Sequence, residues 1–197
     1  MFLKGKSVGA VDWLVVGLGN PEKKYEFTRH NAGFLALDTL AKRHDIKVNK
    51  LKFKSLCGTG TINGVKVALL KPSTYMNLSG QAVVEAVNFY KIPIERVIVM
   101  CDDVNLDPSV IRIRRKGTDG GQNGVKNIIY LTGADTFPRI KIGVGKKPNP
   151  QYDLADWVLS HFSKDEFKLM EISFEKASDA VELIVCGKID EAMNKLN

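Results

Sequence analysis

No stretch of this chain approaches the ~20 consecutive apolar residues that a membrane-spanning helix needs. Cysteine is scarce too. Cys57, Cys101 and Cys186 lie far apart, are odd in number and have no Cys-x-x-Cys spacing, which argues against both a disulfide framework and a zinc site. Met1 to Ala10 carries two lysines but neither the apolar core of a signal peptide nor an arginine-rich amphipathic pattern, so the cytoplasm is the expected location. Repeats and low-complexity linkers are missing as well. With 197 residues this predicts one domain over 1–197, with about 1–11 as a flexible N-terminal extension. A hydrophobic share of 44% and a charged share of 26% are those of an ordinary globular protein and exclude a disordered chain.

The familiar cofactor motifs fail on inspection. Gly17-x-Gly19 begins like a dinucleotide fingerprint, but Glu22 takes the place of the third glycine and Pro21 interrupts the loop. Asp103-x-Asn105-x-Asp107 imitates a calcium loop, yet Pro108 replaces the required glycine and Arg114 the terminal glutamate. There is no Gly-x-Ser-x-Gly elbow, P-loop or His-Glu-x-x-His. No metal and no organic cofactor is expected.

What the chain does have is a concentrated positive charge. The net charge is +7, and between Val110 and Lys147 nine basic residues face only Asp119 and Asp135, while the rest of the chain balances. Such a segment favours a polyanionic partner such as nucleic acid; the competing reading is a solvated basic surface. Ile111-Arg112-Ile113-Arg114 and Ile140-Lys141-Ile142 alternate, which predicts strands with one buried and one cationic face.

Elsewhere, Trp13 to Val16 reads as a short buried strand broken by Gly17-Leu18-Gly19-Asn20-Pro21. Asn31 can cap a helix running to about His44. Leu56 to Ile62 and Val65 to Leu70 flank Asn63-Gly64, a strong hairpin signal. Ser79 can cap a helix that ends before Pro93, and Val97 to Met100 suits a central parallel strand. A helix is expected from about Gly124 to Leu131, and Ser163-Lys-Asp-Glu166 is a capping box opening a long C-terminal one. The pattern predicts an α/β fold: a single-domain three-layer sandwich, with helices flanking a mixed, mostly parallel sheet.

Polar residues cluster at the ends of these elements. His30, in Thr28-Arg29-His30-Asn31, is a titratable base among neutral hydrogen-bonding partners, although in isolation it reads more readily as a helix-start histidine satisfied by backbone. Asp102 and Asp103 follow the buried strand at its C-terminal end, where open α/β sheets bind ligands; a turn or cap is the plainer reading. Asn77 and Asn123 read equally as turn and cap residues. Cys101 beside Asp102 has no paired base nearby and reads as a packing residue.

Taken together these residues resemble the bacterial-type peptidyl-tRNA hydrolase family. Tyr25-x-x-Thr28-Arg29-His30-Asn31-x-Gly33-x-x-Ala36-Leu37-Asp38 is similar to the family's first signature at every fixed position. Gly17 to Pro21, Tyr75-Met76-Asn77 with Ser79-Gly80, and Asn123-Gly124-Val125-Lys126-Asn127-Ile128 resemble further family blocks. The resemblance implies a monomeric α/β sandwich that works without metal. Its reaction would be hydrolysis of the ester joining a peptide to transfer RNA, which frees the tRNA for reuse. It also implies roles. His30 would activate water, Asp102 would orient it, and Asn20 would discriminate blocked from free aminoacyl ends. Tyr25, Tyr75, Met76, Asn77 and Asn123 would contact substrate. The cationic strands, through Arg112, Arg114, Arg139 and Lys141, would hold tRNA phosphates.

Three positions depart from the family pattern: Gln122 stands where histidine is usual, Thr118 where glycine or serine is, and Cys101 where a histidine often precedes the acid. Gln122 carries the competing reading, a non-catalytic RNA-binding protein, splicing-factor-like, on the same scaffold. An unrelated esterase for small substrates would leave the basic segment without a purpose.

Overall fold

The computed structural model describes residues 11–197. The expected N-terminal extension lies outside the described residues except for Val11, which packs against the core. β1 (Trp13–Gly17) leads through two short 3-10 turns into α1 (Ala32–Arg43). β2 (Lys50–Lys52), β3 (Ser55–Ile62) and β4 (Val65–Pro72) form an antiparallel meander, followed by α2 (Ser79–Tyr90). Then come β5 (Val97–Asp103), β6 (Ile111–Arg114), α3 (Asn123–Thr132) and β7 (Arg139–Gly143). The chain closes with α4 (Leu154–Leu159), α5 (Lys164–Val185) and α6 (Ile189–Leu196). Among the described residues no helix is long and apolar enough to cross a membrane.

The seven strands are ordered β2-β3-β4-β1-β5-β7-β6. The central four run parallel, and antiparallel pairing is confined to the two flanks. Central strands must bury both faces, and β1 shows how. Val15 belongs to the core under α1, α5 and α6, while Leu14 and Val16 belong to the core under α2 and α3. This makes three layers, as the mixed strand and helix pattern predicts.

Local chemistry explains several element ends. Asn63 and Gly64 have φ of +48° and +81°, the two positive values that a two-residue hairpin turn requires. Ser163 accepts from the Glu166 amide while Glu166 accepts from the Ser163 amide, completing the capping box. Other expectations needed correction. Ser79 does not cap α2: it is the helix's first residue, Leu78 holds the cap position, and the Ser79 hydroxyl donates to the Met76 carbonyl. Asn31 holds the cap position of α1, but its side chain makes no cap. The Asp102-Asp103 pair does not follow β5; it forms that strand's last two residues, opposite Ile142 and Gly143 of β7.

The topology fixes where a site can form. β1 pairs with β4 on one side and β5 on the other, so the connections leave in opposite directions and open a crevice at the C-terminal strand ends. Gly33 lets α1 close on that crevice. A Cβ there would lie 2.3 Å from the Met100 carbonyl oxygen and 2.6 Å from the Leu18 nitrogen, so only hydrogen fits. The helix start is thereby pressed against the tips of β1 and β5, and His30 comes within reach of Asp102.

Candidate active site

His30 Nδ1 lies 2.9 Å from Asp102 Oδ2. The His30 side chain is 12% exposed and that of Asp102 is 4% exposed, so the pair interacts largely out of water. Burial pulls the His30 pKa down, while the charge of Asp102 and its hydrogen bond push it up; the net direction is up. An ionised Asp102 accepts only, so it selects the tautomer with the proton on Nδ1 and leaves Nε2 free to take one. Asp103 has other duties. Its Oδ1 accepts from the Asn105 amide at 2.8 Å and its Oδ2 from Lys141 Nζ at 2.8 Å, and these contacts, working against burial, lower its pKa. Burial pushes the neighbouring Cys101 thiol up to about 12, so it remains a thiol, in keeping with a packing role.

Asn20 is held at the tip of β1 by the side chain of Asn31. The Asn20 amide donates to Asn31 Oδ1 at 2.8 Å, and Asn31 Nδ2 returns a bond to the Asn20 carbonyl at 3.0 Å. This is where the cap expected from Asn31 is spent. Asn20 Oδ1 accepts from the Met76 amide at 2.9 Å, which turns its Nδ2 toward open space in the cleft. The tie fixes a neutral donor beside the base.

The cleft, about 670 Å³, is lined by Asn20, His30 and Asp102 together with Tyr75, Met76, Asn77 and Asn123. Residues far apart in sequence thus converge on one cleft. Tyr75 donates its hydroxyl to Glu22 Oε1 at 2.7 Å, Met76 is buried, and Asn77 and Asn123 sit exposed at the rim. Lys141 also lines the cleft, bound to Asp103.

Four expected site residues, Tyr25, Arg112, Arg114 and Arg139, are not among those lining the cleft. Tyr25 is absent from the cleft lining; its carbonyl accepts from the Thr28 amide and hydroxyl, so it builds the loop that carries His30. Arg139 is only 1% exposed and cannot present its charge to a phosphate. Its guanidinium donates to the Thr118 and Asp135 carbonyls, at 2.6 and 3.1 Å, and burial lowers its pKa. Alternation along β7 gave its face correctly but not the loop before α3 that covers it. Arg114 is exposed and Arg112 half-buried on the same sheet face, outside the cleft.

Other participants were not anticipated. Leu154, Ala155, Val158 and Leu159 of α4 form an apolar wall; their spacing is helical, but six residues are too few to stand out as a periodic pattern. Gln122 is buried and bonds to Asp102. Arg29, beside His30, is also buried: it stacks 3.8 Å from the Trp157 ring, donates to the His161 carbonyl at 2.7 Å and pairs with Glu166. It ties the His30 loop to α4 and to the start of α5.

A histidine backed by a buried carboxylate, with the tethered side chain of Asn20 in the same cleft and no serine, threonine or cysteine among the cleft-lining residues, suits general-base activation of water. Known proteins narrow that class. The family model described as peptidyl-tRNA hydrolase matches residues 14–197. A peptidyl-tRNA hydrolase of Finegoldia magna is 53% identical over 94% of this chain and 97% of its own length. That of Alkaliphilus oremlandii is 54% identical over 93% and 98%. The crystal structure of the Acinetobacter baumannii enzyme superposes with a TM-score of 0.87 at 38% identity, covering 93% of each chain. The chain belongs to the peptidyl-tRNA hydrolase family.

Proposed function

We propose that this protein hydrolyses the ester between a peptide and the 3′-terminal ribose of tRNA, and so returns the tRNA to use. His30 Nε2 takes a proton from a water molecule, which attacks the ester carbonyl. Asp102 holds the imidazole by Nδ1 and stabilises the imidazolium that forms. Asn20 Nδ2, turned to the cleft by the Met76 amide, donates to the substrate's polarised carbonyl. The protonated His30 then supplies the proton that the departing ribose oxygen needs. An ester has a better leaving group than an amide, so no covalent intermediate is required.

Tyr75, Met76, Asn77 and Asn123 contact the acylated end, with the apolar wall of α4 beside them. Lys141, Arg112 and Arg114 meet tRNA phosphates, which supply affinity without sequence preference, as a substrate class with many different tRNAs demands. The protein acts as a monomer in the cytoplasm, without metal or cofactor. The observation that carries this reading is the 2.9 Å contact between His30 and Asp102 in the cleft that also holds Asn20. A binding protein without turnover would have no use for a buried, tautomer-selecting carboxylate behind its histidine.

The deciding assay compares N-blocked with free aminoacyl-tRNA. Rapid hydrolysis of the blocked ester and slow hydrolysis of the free one is the expected result. Tight tRNA binding with no cleavage of either would return the protein to the RNA-binding reading.

A further inference from the structure

We propose that Gln122 is a positioning residue for the His30–Asp102 couple, gripping the carboxylate oxygen that His30 leaves free while its own amide is oriented by the helix that follows. The inference rests on the functional reading above and extends it to a residue outside the reacting groups.

Asp102 uses Oδ2 for His30, and its other oxygen, Oδ1, lies 3.0 Å from Gln122 Nε2. A glutamine amide can present either end, and the first turn of α3 decides which. The Val125 amide requires an acceptor and finds Gln122 Oε1 at 2.8 Å, the only side-chain cap on that helix. Nε2 must then face Asp102, with Met76 Sδ at 3.1 Å as its second neighbour. Flipping the amide would set a donor against the Val125 N–H and an oxygen against the carboxylate. Gly124 is shaped to this arrangement: a Cβ there would lie 2.7 Å from Met76 Sδ and 3.0 Å from Gln122 Oε1.

The contacts close a circuit. Asn31 holds Asn20, Asn20 holds the Met76 amide, Met76 sulfur meets Gln122, and Gln122 holds Asp102, which holds His30, the neighbour of Asn31 in sequence. Each polar atom of the Gln122 amide is satisfied, and the group carries no proton to lose. The other charged groups at the cleft are engaged elsewhere: Asp103 with Lys141, and Asp119 with the Gly121 amide. The grip on Asp102 therefore stays the same while His30 changes charge.

Two variants test this, because each keeps a cap for α3 and removes the donor to Asp102. Gln122→Ser and Gln122→Thr each place a hydroxyl at the cap position but are too short to reach Asp102. Since a hydrogen bond to a charged group is at stake, kcat on N-blocked aminoacyl-tRNA should fall at least about tenfold in both, with KM within about twofold of wild type. The second readout needs no substrate. The His30 Nδ1 proton should appear downfield by NMR in the wild type, and should broaden or vanish in both variants while their melting temperatures stay near the wild-type value. Wild-type kcat in both variants, or an unchanged ring proton in both, overturns the proposal. A wild-type protein that hydrolyses nothing would refute the functional reading instead, and the ring proton would then decide the role of Gln122 alone.

Discussion

His30 and Asp102 work as one unit because they sit where water cannot compete for either. The imidazole pKa is the balance of burial, which lowers it, and Asp102, which raises it further, so the acid limb of kcat/KM should lie above the ordinary imidazole value. Replacing Asp102 by asparagine leaves burial unopposed; the limb should move to lower pH while kcat drops sharply. Asp103→Asn keeps an acceptor for the Asn105 amide but releases Lys141, so it should change KM more than kcat and leave the limb in place. A pH–rate profile of both variants checks this, and the reverse pattern would reassign the orienting acid. The same balance links stability to pH. His30 binds its proton more tightly folded than unfolded, so its contribution is complete below the unfolded pKa and is lost as pH rises through the folded one.

At the scale of elements, legibility followed length and local chemistry. The hairpin at Asn63-Gly64 and the capping box at Ser163 could be read because the chemistry that makes them is confined to a few adjacent residues. β2, α4 and α6, with three, six and eight residues, are too short for periodicity to emerge, and their place is set by what they pack against. The polar residues at element ends were ambiguous for a different reason. Asn31 and Gln122 each occupy a helix cap position, yet only Gln122 caps; Asn31 reaches 11 residues back to Asn20. No local pattern separates those two fates, because the partner is brought in by the sheet. His30 was singled out at a helix start and Asp102 at a strand end, but their contact across 72 positions of sequence exists only once Gly33 lets α1 settle on β5.

For the molecule as a whole, the basic segment overstates the field that a polyanion would meet. Arg139 points inward, Lys141 is held by Asp103, and Arg115 pairs with Asp190 of α6. Charge counted along the chain ignores partners that arrive from elsewhere. This separates the arginines by role. Arg114→Ala should raise KM and flatten the salt dependence of binding by about one counterion, as loss of a single phosphate contact does. Arg139→Ala should instead lower the melting temperature, because it strips donors from two carbonyls and empties buried space. Binding curves at several salt concentrations, run beside thermal melts, distinguish the two; equal salt slopes for wild type and Arg114→Ala would remove that arginine from the phosphate track.

The most direct measurement is single-turnover cleavage of N-blocked aminoacyl-tRNA by His30→Ala, with RNA affinity determined on the same preparation. Loss of the base should slow cleavage by at least about 10²-fold while affinity stays close to wild type. Cleavage at the wild-type rate would contradict the account at its centre.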